Sequence, residues 1–282
     1  MLDIPSIATR LQSPSSINTY KQCPRKYFYQ YIQKLPTEKS IHLIRGSIAH
    51  TVLEKFFMTD PEHMSKGNFV EELTFLMKGL FVACWNKERT DLQSLQLPDN
   101  ELDYFREETV VMLANWLNHY VGRLQEKIDR HPDWSFPEIW NAVKPYEIET
   151  EYQSKDYMVR GFVDYIEKEG EHIKIMDFKT SKKAMLTPEY KLQLAIYALL
   201  YEIQTGRRAN QVGLWLLRHG EIVLDVNDDL LQLARFEIEQ VHMGTQSKSI
   251  VDYPKTVTPL CKWRTGQCDF YGTCFGQKML VD

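Results

Sequence analysis

A chain of 282 residues, 43% of them apolar, has enough to bury a sizeable core and fits one large domain or two small ones. Charged residues at 26% and aromatics at 12% exclude a disordered polymer. The formal net charge of −4 excludes a surface coated throughout in positive potential, but leaves room for local basic patches. The candidates are Lys21, Arg25 and Lys26, then Lys179, Lys182 and Lys183, then Arg207 and Arg208.

No stretch approaches the roughly 18 apolar residues of a membrane helix, and the opening MLDIPSIATRLQSPSS has no apolar core of an export signal. Both features predict a cytoplasmic protein with no membrane partner. In that setting the five cysteines are reduced thiols or metal ligands rather than disulfides.

Along the chain, residues 16–33 carry Tyr20, Tyr27, Phe28, Tyr31 and Ile32 at helical spacing, and Pro24 divides them into two short helical pieces. Residues 45–58 read as a second helix with Ser47 near its start, and His50 and Glu54 share a face. Long amphipathic patterns over 69–89 and 101–130 predict a helical insertion. The HPDWSFP stretch, 131–137, marks its boundary. Beyond it the period shifts toward two, predicting strands over 143–153, 157–168 and 172–179, the last two joined at Glu169-Gly170-Glu171. A helix over 188–204 follows, capped by Thr187 with Pro188 at its first position. A hairpin around His219-Gly220 and a helix over 228–243 complete an α/β pattern.

The segment GFVDYIEKEGEHIKIMDFKTSK, 161–182, carries the chemistry. Alternate side chains of a strand share a face, so Asp177 and Lys179 project together while Phe178 points away. Asp164 lies on the preceding strand across a short turn. Two carboxylates suit a hard divalent cation such as Mg²⁺ or Mn²⁺, and a neighbouring ammonium suits a developing negative charge. On a strand alone, an Asp-x-Lys pair is more often a surface ion pair. Gln193 and Tyr197, four apart on the following helix, place two polar groups on an otherwise apolar face.

Cys261, Cys268 and Cys274 are separated by six and five residues, Cys23 stands alone near the start, and Cys84 sits in an apolar helix as a small core residue. Four thiolates can hold either a tetrahedral zinc or an iron-sulfur cluster, and spacing alone does not separate the two.

The succession RGSIAH, GFVDYI, MDFKTSK, QLAIYALLY resembles the RecB-like branch of the PD-(D/E)xK nucleases. Gly46 and His50 match its Gly-x-x-x-His helix, Gly161 and Asp164 its Gly-x-x-Asp strand, Asp177 and Lys179 its Asp-x-Lys strand, and Gln193 and Tyr197 its Gln-x-x-x-Tyr helix. The resemblance implies a restriction-endonuclease-like core, a mixed central sheet flanked by helices. It also implies that His50, Asp164, Asp177 and the Phe178 carbonyl are metal ligands, that Lys179 is the catalytic lysine, and that Gln193 and Tyr197 position the lysine or touch DNA. One cysteine before the core and three after it is also the arrangement of members with an iron-sulfur domain, such as AddB-type repair subunits and CRISPR spacer-acquisition exonucleases. Cys23, Cys261, Cys268 and Cys274 would then hold a 4Fe-4S cluster with a structural role, although the gap of six after Cys261 is wider than usual.

The implied organisation is 1–60 for N-terminal helices, 61–140 for the helical insertion, 141–245 for the nuclease core and 246–282 for the cysteine segment. The implied activity is a metal-dependent exonuclease acting on single-stranded DNA ends, with Tyr27, Phe28, Tyr29 and Tyr31 as candidate base-stacking groups beside Lys26. The alternatives are a weakly active DNA-binding or assembly subunit docked on a helicase or integrase, and a site-specific endonuclease.

Overall fold

The computed structural model describes residues 3–263 and 266–276. Its helices in chain order are α1 (Ile4–Ile7), α2 (Pro14–Gln22), α3 (Pro24–Tyr27), α4 (Ile41–Phe57), α5 (Phe69–Lys87), α6 (Arg89–Ser94), α7 (Asp99–Arg130) and α8 (Phe136–Val143), then α9 (Pro188–Thr205), α10 (Asp228–Gly244) and α11 (Tyr271–Phe275). The strands are β1 (Glu147–Ser154), β2 (Val159–Glu169), β3 (His172–Lys179), β4 (Gln211–Leu216) and β5 (Gly220–Asp225), with a small separate pair β6 (Lys262–Trp263) and β7 (Gly266–Gln267).

Among the described residues the main sheet has five strands in sequential order, β1 to β5. The first three form an antiparallel meander; β3 and β4 are parallel, and β4 and β5 antiparallel. A parallel neighbour needs a crossover, and α9 supplies it between β3 and β4. The sheet is therefore mixed, as expected. Strands β3 and β4 are buried almost end to end because helices cover both faces.

On one face α9 and α10 pack over Val163, Ile166, Ile175, Val212 and Leu214. On the other, α4, α5, α7 and α8 pack over Tyr165, Met176, Phe178 and Trp215. The helical insertion is thus the second layer of the sheet's own core. Phe56 and Trp116, with rings 5.2 Å apart, join α4 to α7 at its centre.

Three local expectations need correcting. Helix α4 starts at Ile41, capped by Ser40 accepting from the Leu43 N–H, a turn and a half before Ser47. The HPDWSFP stretch does separate helices, α7 ending at Arg130, but its last two residues already belong to a further helix, α8. Pro137 occupies the first turn of α8, where a missing N–H does no harm, and Ser135 and Glu138 form a capping box. Consequently β1 begins at Glu147, not at 143.

The N-terminal segment turns at Pro24 as expected and continues beyond α3 as a wide π-turn over Phe28–Ile32. This places Tyr27, Phe28 and Tyr29 in a third apolar cluster with Tyr253 and Phe270. Tyr27 and Tyr253 stack with centroids 6.2 Å apart. Early and late segments of the chain therefore share one small core. Tyr27, Phe28 and Tyr29 are buried in it, which withdraws them as base-stacking groups.

Candidate active site

The meander brings the two aspartates together. Tyr165 of β2 lies opposite Met176 of β3, and one step further the Phe178 N–H donates to Asp164 Oδ2 at 2.6 Å. Asp177 faces α9 and is only 2% exposed. Helix α9 presents Gln193, whose amide donates to Asp177 Oδ1 at 2.9 Å and to the Tyr197 hydroxyl at 2.8 Å. From the other layer α4 places His50 Nδ1 3.1 Å from Asp164 Oδ1. The Lys179 ammonium pairs with Asp177 Oδ2 and lies 5.4 Å above the Tyr190 ring. His50, Asp164, Asp177, Phe178, Lys179, Gln193 and Tyr197 thus meet in one volume.

The glycine before Asp164 has a steric reason. A Cβ at Gly161 would stand 2.8 Å from Cε1 of Tyr197, so any side chain there pushes Tyr197 away from Gln193.

Electrostatics keep the set polarised. Burial pushes the Asp177 carboxyl up, while the Lys179 ammonium beside it pulls the other way. Burial works against charge on Lys179, but the Asp177 carboxylate outweighs it and raises the ammonium. The same contest at His50, burial against the neighbouring Asp164, ends with the imidazole raised. Burial lifts the Tyr197 phenol well above its ordinary range, so it stays a neutral hydroxyl.

Glu149 was not foreseen. It holds the left-handed conformation at φ 46°, rare for a residue other than glycine. The pairs Ile148–Tyr165 and Thr150–Val163 flank it, which sets it beside Asp164. Burial, and then the Asp164 charge, raise its carboxyl. The alternation of β1 contains no sign of this; only the backbone twist reveals it.

Above the aspartates a cleft of about 400 Å³ opens between α4 and the end of β3. His42, Arg45 and His50 form one wall, with Phe178, Lys179, Thr180, Ser181, Lys182 and Tyr190 opposite. One basic patch thus reaches the cleft through Lys179 and Lys182. In the others, Lys21 pairs with Glu237, Arg207 with Glu171, and Arg208 with Glu202 and Asp228.

Drawn from early and late parts of the chain, Cys23, Cys261, Cys268 and Cys274 line one small cavity of about 40 Å³ together with Arg25, Lys26 and Lys255. The Cys268 N–H donates to the Cys261 carbonyl at 2.9 Å. Burial raises the Cys268 and Cys274 thiols, with the nearby Cys23 adding to it. Cys84 lies apart in the α5 core.

A close carboxylate pair, a lysine on the same strand as one of them and a neighbouring cationic cleft on a mixed sheet are the kind of arrangement that suits metal-assisted phosphodiester cleavage. The profile described as the PD-(D/E)XK nuclease superfamily matches residues 12–275, and the chain belongs to that superfamily. It is therefore a metal-dependent nuclease, and nucleases of this superfamily typically use Mg²⁺ or Mn²⁺. Among solved structures, a protein of Eubacterium rectale named provisionally as an exonuclease is 12% identical, with a TM-score of 0.46 over 89% of this chain and 86% of that one. The structure of SSO0001 is 14% identical, with a TM-score of 0.30 over 55% of this chain and 82% of that one. No curated protein matches the chain. Among the described residues no helix is long and apolar enough to cross a membrane.

The donor set suits a divalent cation. Asp177 Oδ2 is buried and meets only the Lys179 ammonium, so it is the carboxylate oxygen a cation would compete for. As they stand, no three His, Cys, Asp or Glu side chains among the described residues are grouped closely enough to grip an ion.

Proposed function

We propose that this chain is a deoxyribonuclease that hydrolyses single-stranded DNA from its ends, with Asp164, Asp177, His50 and the Phe178 carbonyl as the metal ligands. The reading is carried by the convergence of Asp164, Asp177 and Lys179, the last of which lines a cationic cleft. A bound cation supplies Lewis acidity at phosphorus and a more acidic attacking water. Lys179 orients that water and faces the charge that grows on the phosphoryl oxygens. Gln193 holds Asp177 in one rotamer, Tyr197 fixes the Gln193 amide, and His50 steadies Asp164.

Cleft size favours single strands. About 400 Å³ is the scale of a pocket for one small ligand, so it admits a nucleotide of a threaded strand.

The same reading assigns Cys23, Cys261, Cys268 and Cys274 to an iron-sulfur cluster with a structural role, supported by their sharing one cavity. Purified aerobically, the protein is then brown and contains about four irons per chain. A colourless protein with one zinc replaces the cluster with a zinc site.

The deciding experiment incubates the protein with end-labelled single strands, duplex and covalently closed circles, with Mg²⁺, Mn²⁺ or chelator. Metal-dependent shortening of linear single strands with circles spared is the expected result. Cut circles make it an endonuclease. If every substrate survives, it is a binding or assembly subunit of a helicase or integrase complex.

A further inference from the structure

Two arginines beside the cleft share a single acid. Arg45 of α4 and Arg218, just past β4, both pair with the same oxygen of Glu108, Oε2, while its other oxygen accepts from the Tyr104 hydroxyl at 3.0 Å. Arg45 is 2% exposed and its guanidinium lies 5.4 Å from the Phe105 ring centroid. Two cations against one carboxylate leave a surplus positive charge in a poorly hydrated place, which is costly unless an anion completes it. Consistent with that surplus, Arg45 Nε and Arg218 Nε are buried with no hydrogen-bond partner among the described residues.

The position of this pair gives the missing anion its identity. Arg45 forms part of the cleft wall beside His42, His50, Lys179 and Lys182, and no carboxylate lines that cleft. Residues 217–219 run alongside the cleft's other border, with the Leu217 N–H donating to the Lys179 carbonyl at 2.9 Å and His219 Nε2 3.0 Å from the Lys182 carbonyl. Guanidinium groups bind phosphate through a planar fork of donors, and Arg45 and Arg218 each have a donor to spare.

We propose that Arg45 and Arg218, held together by Glu108, form a second anion seat that grips a phosphate of the DNA strand other than the one being cut. The proposal rests on the nuclease reading for the nature of its ligand. Its separation from Lys179 along the cleft would set the register of the strand, making Arg45 and Arg218 positioning residues. The phosphate is either an internal phosphodiester or a terminal phosphate, and end chemistry separates the two.

The test compares wild type with Arg218→Gln and Arg45→Lys. Substrates are single strands ending in 5′-phosphate or 5′-hydroxyl, and 3′-phosphate or 3′-hydroxyl, across a salt series with Mn²⁺. The expected result is a KM raised about tenfold with kcat within about twofold, and a salt dependence of binding shallower by about one charge. Loss on every strand assigns an internal phosphodiester; loss confined to phosphorylated ends assigns a terminal phosphate. An unchanged KM and salt slope in folded Arg218→Gln overturns the seat while leaving the nuclease reading intact. Should Arg45→Lys fail to fold, Arg218→Gln, whose side chain is 19% exposed, decides alone. If the wild type cleaves nothing, fluorescence anisotropy of the same strands decides: a shallower slope in Arg218→Gln keeps the seat, an unchanged one removes it.

Discussion

Asp177 is a buried carboxylate whose two oxygens are treated differently, one fixed by Gln193 and the other facing Lys179. Replacing Asp177 or Lys179 by Ala is expected to lower metal-dependent cleavage by about 10²-fold or more, with circular dichroism unchanged. Persistent cleavage in either variant removes the site. Gly161→Ala tests the steric reasoning. Its Cβ collides with Tyr197, so a thermal melt should show a loss of about 1–3 kcal/mol, and kcat should fall because Gln193 loses its anchor. Asp177, Lys179, Gln193 and Tyr197 were readable because two-residue and four-residue periods say which side chains share a face. The contact between His50 and Asp164 joins two elements 114 residues apart, and local periodicity cannot pair them. Glu149 escaped for a different reason, since a positive φ leaves no mark in a strand's polar pattern.

At the scale of elements, α4 and α7 are tied to the end of β4 through Arg45, Glu108 and Arg218. Burial works against the Glu108 carboxylate. Its bonds to Arg218 and Tyr104 and the charge of Arg45 nevertheless hold it at about 2, well below its ordinary 4.5. A depressed folded-state value stabilises fully above the unfolded one. Glu108 therefore supports the fold above pH 4.5, and that support disappears as pH falls toward 2. In acid titrations followed by tryptophan fluorescence, Glu108→Gln should be less stable than wild type at pH 7, with the difference vanishing near pH 2. A constant difference across that range contradicts the assignment. Most elements were legible, including the division at Pro24 and the crossover helix α9. Helix α8 was missed because its prolines were weighed as breakers, although Ser135, Pro137 and Glu138 together spell a helix start.

For the whole molecule, the third apolar cluster and the cysteine cavity fasten the first thirty residues to the last thirty. A tether of this span restricts the unfolded chain strongly. On the proposed iron-sulfur reading, Cys23→Ser and Cys274→Ser should each lose bound iron and about 3–5 kcal/mol of stability, the scale of removing a native cross-link, as measured by iron assay and denaturant titration. Full iron content and unchanged midpoints would detach these thiols from the proposed cluster. Because Tyr27, Phe28 and Tyr29 share a cluster with Tyr253 and Phe270, this part of the core closes only after residue 270 has left the ribosome. Sheet and catalytic groups can assemble while translation is still under way, whereas the N-terminal segment must wait. The nascent protein thus carries an apolar N-terminal segment that waits for its late partners before it is sealed.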